Sequence, residues 1–68
     1  MLYSVRGYIK KEDIRLKKEF TSLAKANSYI DKMLYKYDCQ VQDECIENNQ
    51  CKYFCEDNSS FIVESKSI

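Results

Sequence analysis

Proline, histidine and tryptophan are absent from this 68-residue chain, and glycine occurs once, at Gly7. With so little proline and glycine, turns must be built mainly by Asn, Asp, Ser and Lys, which favours few elements and short links. Without histidine, no side chain has an ordinary pKa near neutrality, and a cysteine nucleophile would have no imidazole to ionise it. A glycine-rich phosphate loop is missing as well. No apolar run approaches the roughly 18 residues of a membrane span. Arg6 also interrupts the opening MLYSVRGYIKK where a secretory leader needs its apolar stretch. These absences lead us to expect a non-enzymatic protein of the cytoplasm, with no cofactor and no membrane partner.

What is present suits a packed domain. Hydrophobic residues make up 44% of the chain and aromatics 13%, too many for a disordered segment even with 32% charged residues. Residues 1–68 are read as a single domain, and one this small buries only about 60% of the surface its unfolded chain exposes, so its stability margin is thin. The net charge of zero conceals a division. Residues 1–37 carry nine basic and four acidic side chains, a net of +5, whereas residues 38–68 carry two basic and seven acidic ones, a net of −5. Such a bipolar molecule can steer partners, or copies of itself, into register.

Two segments alternate with period two. In YSVRGYI, Tyr3, Val5, Gly7 and Ile9 fall on one side; in IRLKKEF, Ile14, Leu16 and Phe20 do. A loop at residues 10–13 sets Ile9 against Ile14, Gly7 against Leu16 and Tyr3 against Phe20. Burial enforces that register, because a slip of one residue turns an apolar set to water. From residue 22 to 38 the spacing becomes helical, with Leu23, Ala26, Ile30, Met33, Leu34 and Tyr37 on one face and Lys25, Lys32 and Lys36 on a solvated one. Thr21 or Ser22 can cap the first turn. QVQDECIEN and QCKYFCED then read as a second hairpin around Asn48-Asn49, and SFIVES as a last strand with Phe61 and Val63 on one side. Residues 66–68 are expected to fray. The predicted fold class is α+β: a mainly antiparallel sheet with one amphipathic helix across one face, in the order ββαββ(β). Its parts are a hairpin over 2–21, a helix over 22–38, and a hairpin with the last strand over 40–65.

The second hairpin decides the cysteines. A two-residue turn sets Cys51 against Ile46 and Cys45 beside Lys52; a three-residue loop sets Cys45 against Cys51 and Val41 against Cys55. The longer loop separates apolar from charged side chains better, and it makes Cys45, Cys51 and Cys55 core-facing. A zinc site of Cys39, Cys45, Cys51 and Cys55 is disfavoured, since their C-x5-C-x5-C-x3-C spacing lacks the close pairs that aim two thiolates at one ion. Burial as small apolar residues is preferred over a disulfide, zinc or a reactive thiol. Asp43, Glu44 and Glu47 do not suit a divalent cation, because strand alternation sends Asp43 and Glu44 to opposite faces.

The sheet face away from the helix is the more informative surface. The expected registers place on it Arg6, Tyr8, Arg15 and Lys17, together with Ile46, Lys52 and Phe54. Rings among basic side chains bind single-stranded nucleic acid by stacking bases and neutralising phosphates, and equally suit a protein interface. The plainer reading is that Tyr8 and Phe54 pack on each other across strands.

A single short domain, divided in charge, without catalytic equipment and rich in residues with AT-rich codons, resembles the small proteins encoded by bacteriophages and mobile elements, in particular the anti-CRISPR and anti-defence kind. The resemblance covers the general build of the whole chain and no specific motif, and the basic first half departs from a simple acidic mimic. It implies an inhibitor acting in a bacterial host cell on a protein effector that handles nucleic acid. Asp43, Glu44, Glu47, Glu56 and Asp57 would engage that effector's basic groove. The first alternative is a nucleic-acid-binding or regulatory module using Arg6, Tyr8, Arg15, Lys17 and Phe54. The second is a homo-oligomer that holds a small ligand between protomers.

Overall fold

The structure, a computed structural model, describes residues 1–66. Strands β1 (Leu2–Ile9) and β2 (Ile14–Phe20) form the first hairpin, joined through a short 3-10 turn at Lys10–Glu12 and by Asp13 in the left-handed region. Ile9 faces Ile14, Gly7 faces Leu16 and Tyr3 faces Phe20, the register that the apolar alternation dictates. Helix α1 (Leu23–Lys36) follows, then β3 (Val41–Glu47), β4 (Gln50–Cys55) and β5 (Ser60–Lys66). All strand pairs are antiparallel, and the sheet order is β2-β1-β5-β4-β3. The fold is therefore α+β, with one helix on a five-stranded antiparallel sheet.

The last strand lies in the middle of the sheet, between β1 and β4. Phe61 and Val63 are buried against the helix side, while Ile62 is half-buried on the other face. That run of apolar residues on both faces suits a central position, and the charged strands β2 and β3 form the two edges. Lys66 pairs with Leu2 as part of β5, so the expected fraying does not begin there, and the rest of that tail lies outside the described residues. The charge division of the chain becomes a division across the sheet: Arg15, Lys17 and Lys18 on one edge, Asp43, Glu44 and Glu47 on the other.

The core comprises Val5, Ile9, Ala26, Ile30, Met33, Cys39, Cys55, Phe61 and Val63. Helix α1 packs chiefly on β1 and β2, so the half of that sheet face formed by β3 stays uncovered. Leu23, expected in the core, is accordingly half exposed, whereas Tyr29 packs inward, its ring 5.3 Å from that of Phe20. Lys25, Lys32 and Lys36 are solvated. No helix among the described residues is long and apolar enough to cross a membrane.

Both helix ends are closed by local hydrogen bonds. Ser22, and not Thr21, is the N-cap, its hydroxyl accepting the Lys25 N–H at 3.4 Å. At the far end the Asp38 N–H donates to the Tyr35 carbonyl at 3.2 Å and the Cys39 N–H to that of Leu34 at 2.9 Å, with Asp38 at φ 52°. This is the Schellman arrangement, whose left-handed residue is most often glycine. Asp38 also sets a negative charge beside the negative end of the helix dipole. Asp38→Gly removes both penalties and is expected to stabilise the fold by about 0.5–1 kcal/mol, raising the thermal midpoint by a few degrees in a calorimetric scan.

Candidate functional site on the open sheet face

Side chains directly opposite one another in an antiparallel sheet share a face. Across the uncovered side one row therefore runs Arg15, Tyr8, Ser60, Phe54, Asp43, and the next runs Lys17, Arg6, Ile62, Lys52, Cys45. A third row, Glu19, Ser4, Glu64, Gln50, Glu47, borders them with acid. Arg6, Tyr8, Arg15 and Lys17 line one shallow groove of about 260 Å³, floored by Gly7, Ser60 and Ile62. Arg6, Arg15 and Lys17 are exposed, and Phe54 keeps 42% of its surface open.

Tyr8 is the organising ring of this groove. Its hydroxyl donates to Asp13 Oδ1 at 3.1 Å, and that acceptor holds the phenol pKa above its ordinary value. The Arg15 guanidinium lies 5.8 Å from the ring centroid, within cation–π reach. Tyr8 and Phe54 share a row but are separated by β5, so they lie about 10 Å apart at the usual strand spacing and do not stack on each other. The plain cross-strand packing of these two rings is thereby excluded.

The acidic residues do not form one surface. Asp43 and Glu47 project from the open face, while Glu44 lies on the helix side and lines a second groove, of about 370 Å³, with Ile30, Asp31, Leu34 and Tyr53. Glu56 is exposed in the β4–β5 turn. Asp57 is engaged internally: its Oδ1 accepts the Ser59 N–H at 3.0 Å, and its Oδ2 lies 3.8 Å from Lys11 Nζ. Glu47 pairs with Lys52 at 3.8 Å.

The second hairpin corrects the expected register. Its turn is the two-residue one, Asn48-Asn49, with Asn48 at φ 45°, so Ile46 faces Cys51 and Cys45 faces Lys52. Cys45 is therefore on the open face, donating its thiol hydrogen to Glu47 Oε1 at 3.4 Å, and Ile46 is on the helix side, 74% exposed. A bulge between Val41 and Asp43 absorbs the extra residue, which lets Val41 still face Cys55 as expected. Turn and strand are locked together by Asn49, whose carbonyl accepts the Ser65 N–H at 2.9 Å and whose side-chain amide donates to the Ser65 carbonyl at 2.8 Å.

These registers disperse the four thiols, all of them free. Cys45 and Cys51 lie on opposite faces, so a four-cysteine zinc site does not form. Cys39 and Cys55 are buried, and burial together with the neighbouring Cys39 pushes the Cys55 thiol up to about 11, so it carries its proton near neutral pH when no cation displaces it.

No protein-family model, curated protein or solved structure matches the chain. The geometry alone carries the functional argument.

Sequence reasoning missed the contribution of Lys11. Its ammonium donates to the Tyr37 carbonyl at 3.1 Å and the Asp38 carbonyl at 3.0 Å, and so ties the end of α1 to the β1–β2 loop and to Asp57. Ser59, 1% exposed, completes this corner by accepting the Lys10 N–H at 3.0 Å. The Ser59 N–H, then the Ser59 hydroxyl and Lys11, hold the Asp57 carboxyl below the usual aspartate range. A depressed folded-state pKa contributes stability above the unfolded value, about 4, and loses it as pH falls through the folded value. Asp57→Asn should therefore flatten the acid limb below about pH 4. Circular dichroism of both proteins during acid titration checks this; identical limbs would show that Asp57 has no such role.

Proposed function

We propose that the chain is a non-enzymatic binding protein that takes single-stranded nucleic acid on the open face of its sheet. The observation that carries this reading is the convergence of Arg6, Arg15 and Lys17 around the Tyr8 ring and the apolar floor of Ile62, on a face with no helix over it. The three cations neutralise phosphates, and Tyr8 and Phe54 offer rings on which bases stack; neither contact selects a base, so weak sequence preference and strong salt dependence are expected. Fluorescence anisotropy with a labelled single strand at low salt tests it directly. Saturable binding that weakens with salt supports the reading, and no binding removes it.

A second reading is favoured by one feature, the acidic edge strand. β3 is exposed along almost its whole length and carries Asp43, Glu44 and Glu47. An edge strand of that charge suits docking against the basic groove of a host protein effector that itself handles nucleic acid, the action of a phage-type inhibitor. Asp57 contributes little to such a surface while it is held by Ser59 and Lys11. Charge reversal at Glu44 and Glu47 distinguishes the readings: it should abolish capture of an effector from host lysate and leave single-strand binding intact or stronger.

A further inference from the structure

We propose that Cys39, Cys55 and Asp57 form a zinc-binding site at the corner where α1 ends. Three elements bring the ligands together. Cys39 is fixed by the Schellman bond two residues beyond the helix cap, Cys55 is the last residue of β4, and Asp57 sits in the turn to β5. Their two sulfurs and a carboxylate oxygen all lie within 4.8 Å of one another. A tetrahedral zinc with Zn–S bonds of about 2.3 Å sets two sulfurs about 3.8 Å apart, so side-chain rotation of an ångström or less closes the site. Cys39 Sγ already lies 3.9 Å from Asp57 Oδ2.

The surroundings suit an ion of this charge and softness. Two thiolates and one carboxylate are the donor set of a borderline-soft divalent cation and not of calcium or magnesium. Asp57 Oδ1 accepts the Ser59 N–H, which orients the carboxylate with its other oxygen toward Cys39. On binding, two S–H bonds are replaced by two Zn–S bonds and two protons pass to solvent, so no oxidant is required. Two thiolates, one carboxylate, Zn²⁺ and the Lys11 ammonium 3.8 Å from Asp57 sum to zero charge. The sulfurs are buried, but the Asp57 and Lys11 side chains remain 24% and 45% exposed, leaving a way in from solvent and a fourth position for water.

Cobalt as an optical probe tests the site in the reduced full chain. We expect a thiolate-to-cobalt charge-transfer band that saturates at one ion per chain and is displaced by zinc. Asp57→Asn should weaken binding by about 10–100-fold, and Cys39→Ser or Cys55→Ser should remove the band. The double variant Cys45→Ser/Cys51→Ser, which leaves the corner untouched, should keep it at full intensity. Absence of the band in the unmodified protein, its survival in a folded Cys39→Ser variant, or its loss in the folded Cys45→Ser/Cys51→Ser variant would each overturn the assignment. Should Cys39→Ser not fold, the unmodified protein and the double variant decide the matter between them.

Discussion

Gly7→Ala is expected to cost about 3 kcal/mol and lower the thermal midpoint by about 10–20 °C. Gly7 faces Phe61 across the β1–β5 pair, and a Cβ placed on it would lie 2.6 Å from Phe61 Cε1 and 2.7 Å from Cδ1. The ring cannot retreat, because Phe61 is fully buried in the core. Glycine is used here for the close approach of a side chain and not for a special backbone angle, since its φ lies outside the left-handed region. A domain of this length has a total stability of only about 3–10 kcal/mol, so the loss takes from about a third of that margin to all of it. The mechanism is separable from a general intolerance of alanine in strands. Phe61→Leu alone leaves a void and destabilises, but combined with Gly7→Ala the new methyl occupies part of that void. The double variant should be more stable than the sum of the two single losses by about 1–2 kcal/mol. Additive losses in urea unfolding would mean that the ring and the missing Cβ do not compete for space.

Replacing Arg6, Arg15 and Lys17 together by alanine should weaken single-strand binding by about 100-fold at low salt and flatten the log–log salt dependence by about 2, as three phosphate contacts disappear. The fold should survive, because all three side chains are exposed and none forms an ion pair among the described residues. A different signature is expected at Tyr8 and Phe54. Tyr8→Leu or Phe54→Leu removes a stacking surface worth about 1–3 kcal/mol per base and leaves the salt slope unchanged. The helix supplies the control. Alanine at Lys25, Lys32 and Lys36 removes the same charge from the opposite side of the molecule, and a comparable loss of affinity there would show that binding follows bulk charge and not this face.

What could be read from the residues depended on how far burial constrained them. The first hairpin was legible because Tyr3, Val5 and Ile9 must share a face with Ile14, Leu16 and Phe20, and a slip of one residue breaks that match. The same constraint placed Arg6, Tyr8, Arg15 and Lys17 on the outer face, so their grouping was legible too. The second hairpin misled because cysteine serves almost equally as a core or a surface residue. Treating Cys45 as core selected the longer loop, whereas the bulge before Asp43 satisfies the two-residue turn and the Val41–Cys55 pairing at once. Asp43, Glu44, Glu47, Glu56 and Asp57 are close in sequence but diverge in space, since a strand turns successive side chains to opposite faces and a turn redirects the rest. The Cys39–Cys55–Asp57 corner was out of reach, because it exists only once the end of the helix has folded back onto the β4–β5 turn. A signal for the central place of β5 was nonetheless present: Phe61, Ile62 and Val63 form an unbroken apolar run, as a strand covered on both sides requires.

That central strand has a kinetic consequence. Its pairing with β1 joins residues as far apart as Leu2 and Lys66, so these contacts close a loop of nearly the whole described chain. Proteins dominated by such distant pairings refold over milliseconds to seconds, more slowly than helical domains of equal size. Ser60 and Ile62, which floor the basic groove, arrive with that same step. The three cations and Tyr8 stand on the first hairpin and Phe54 on β4, so it is the final zipping of the sheet that sets all of them above one floor.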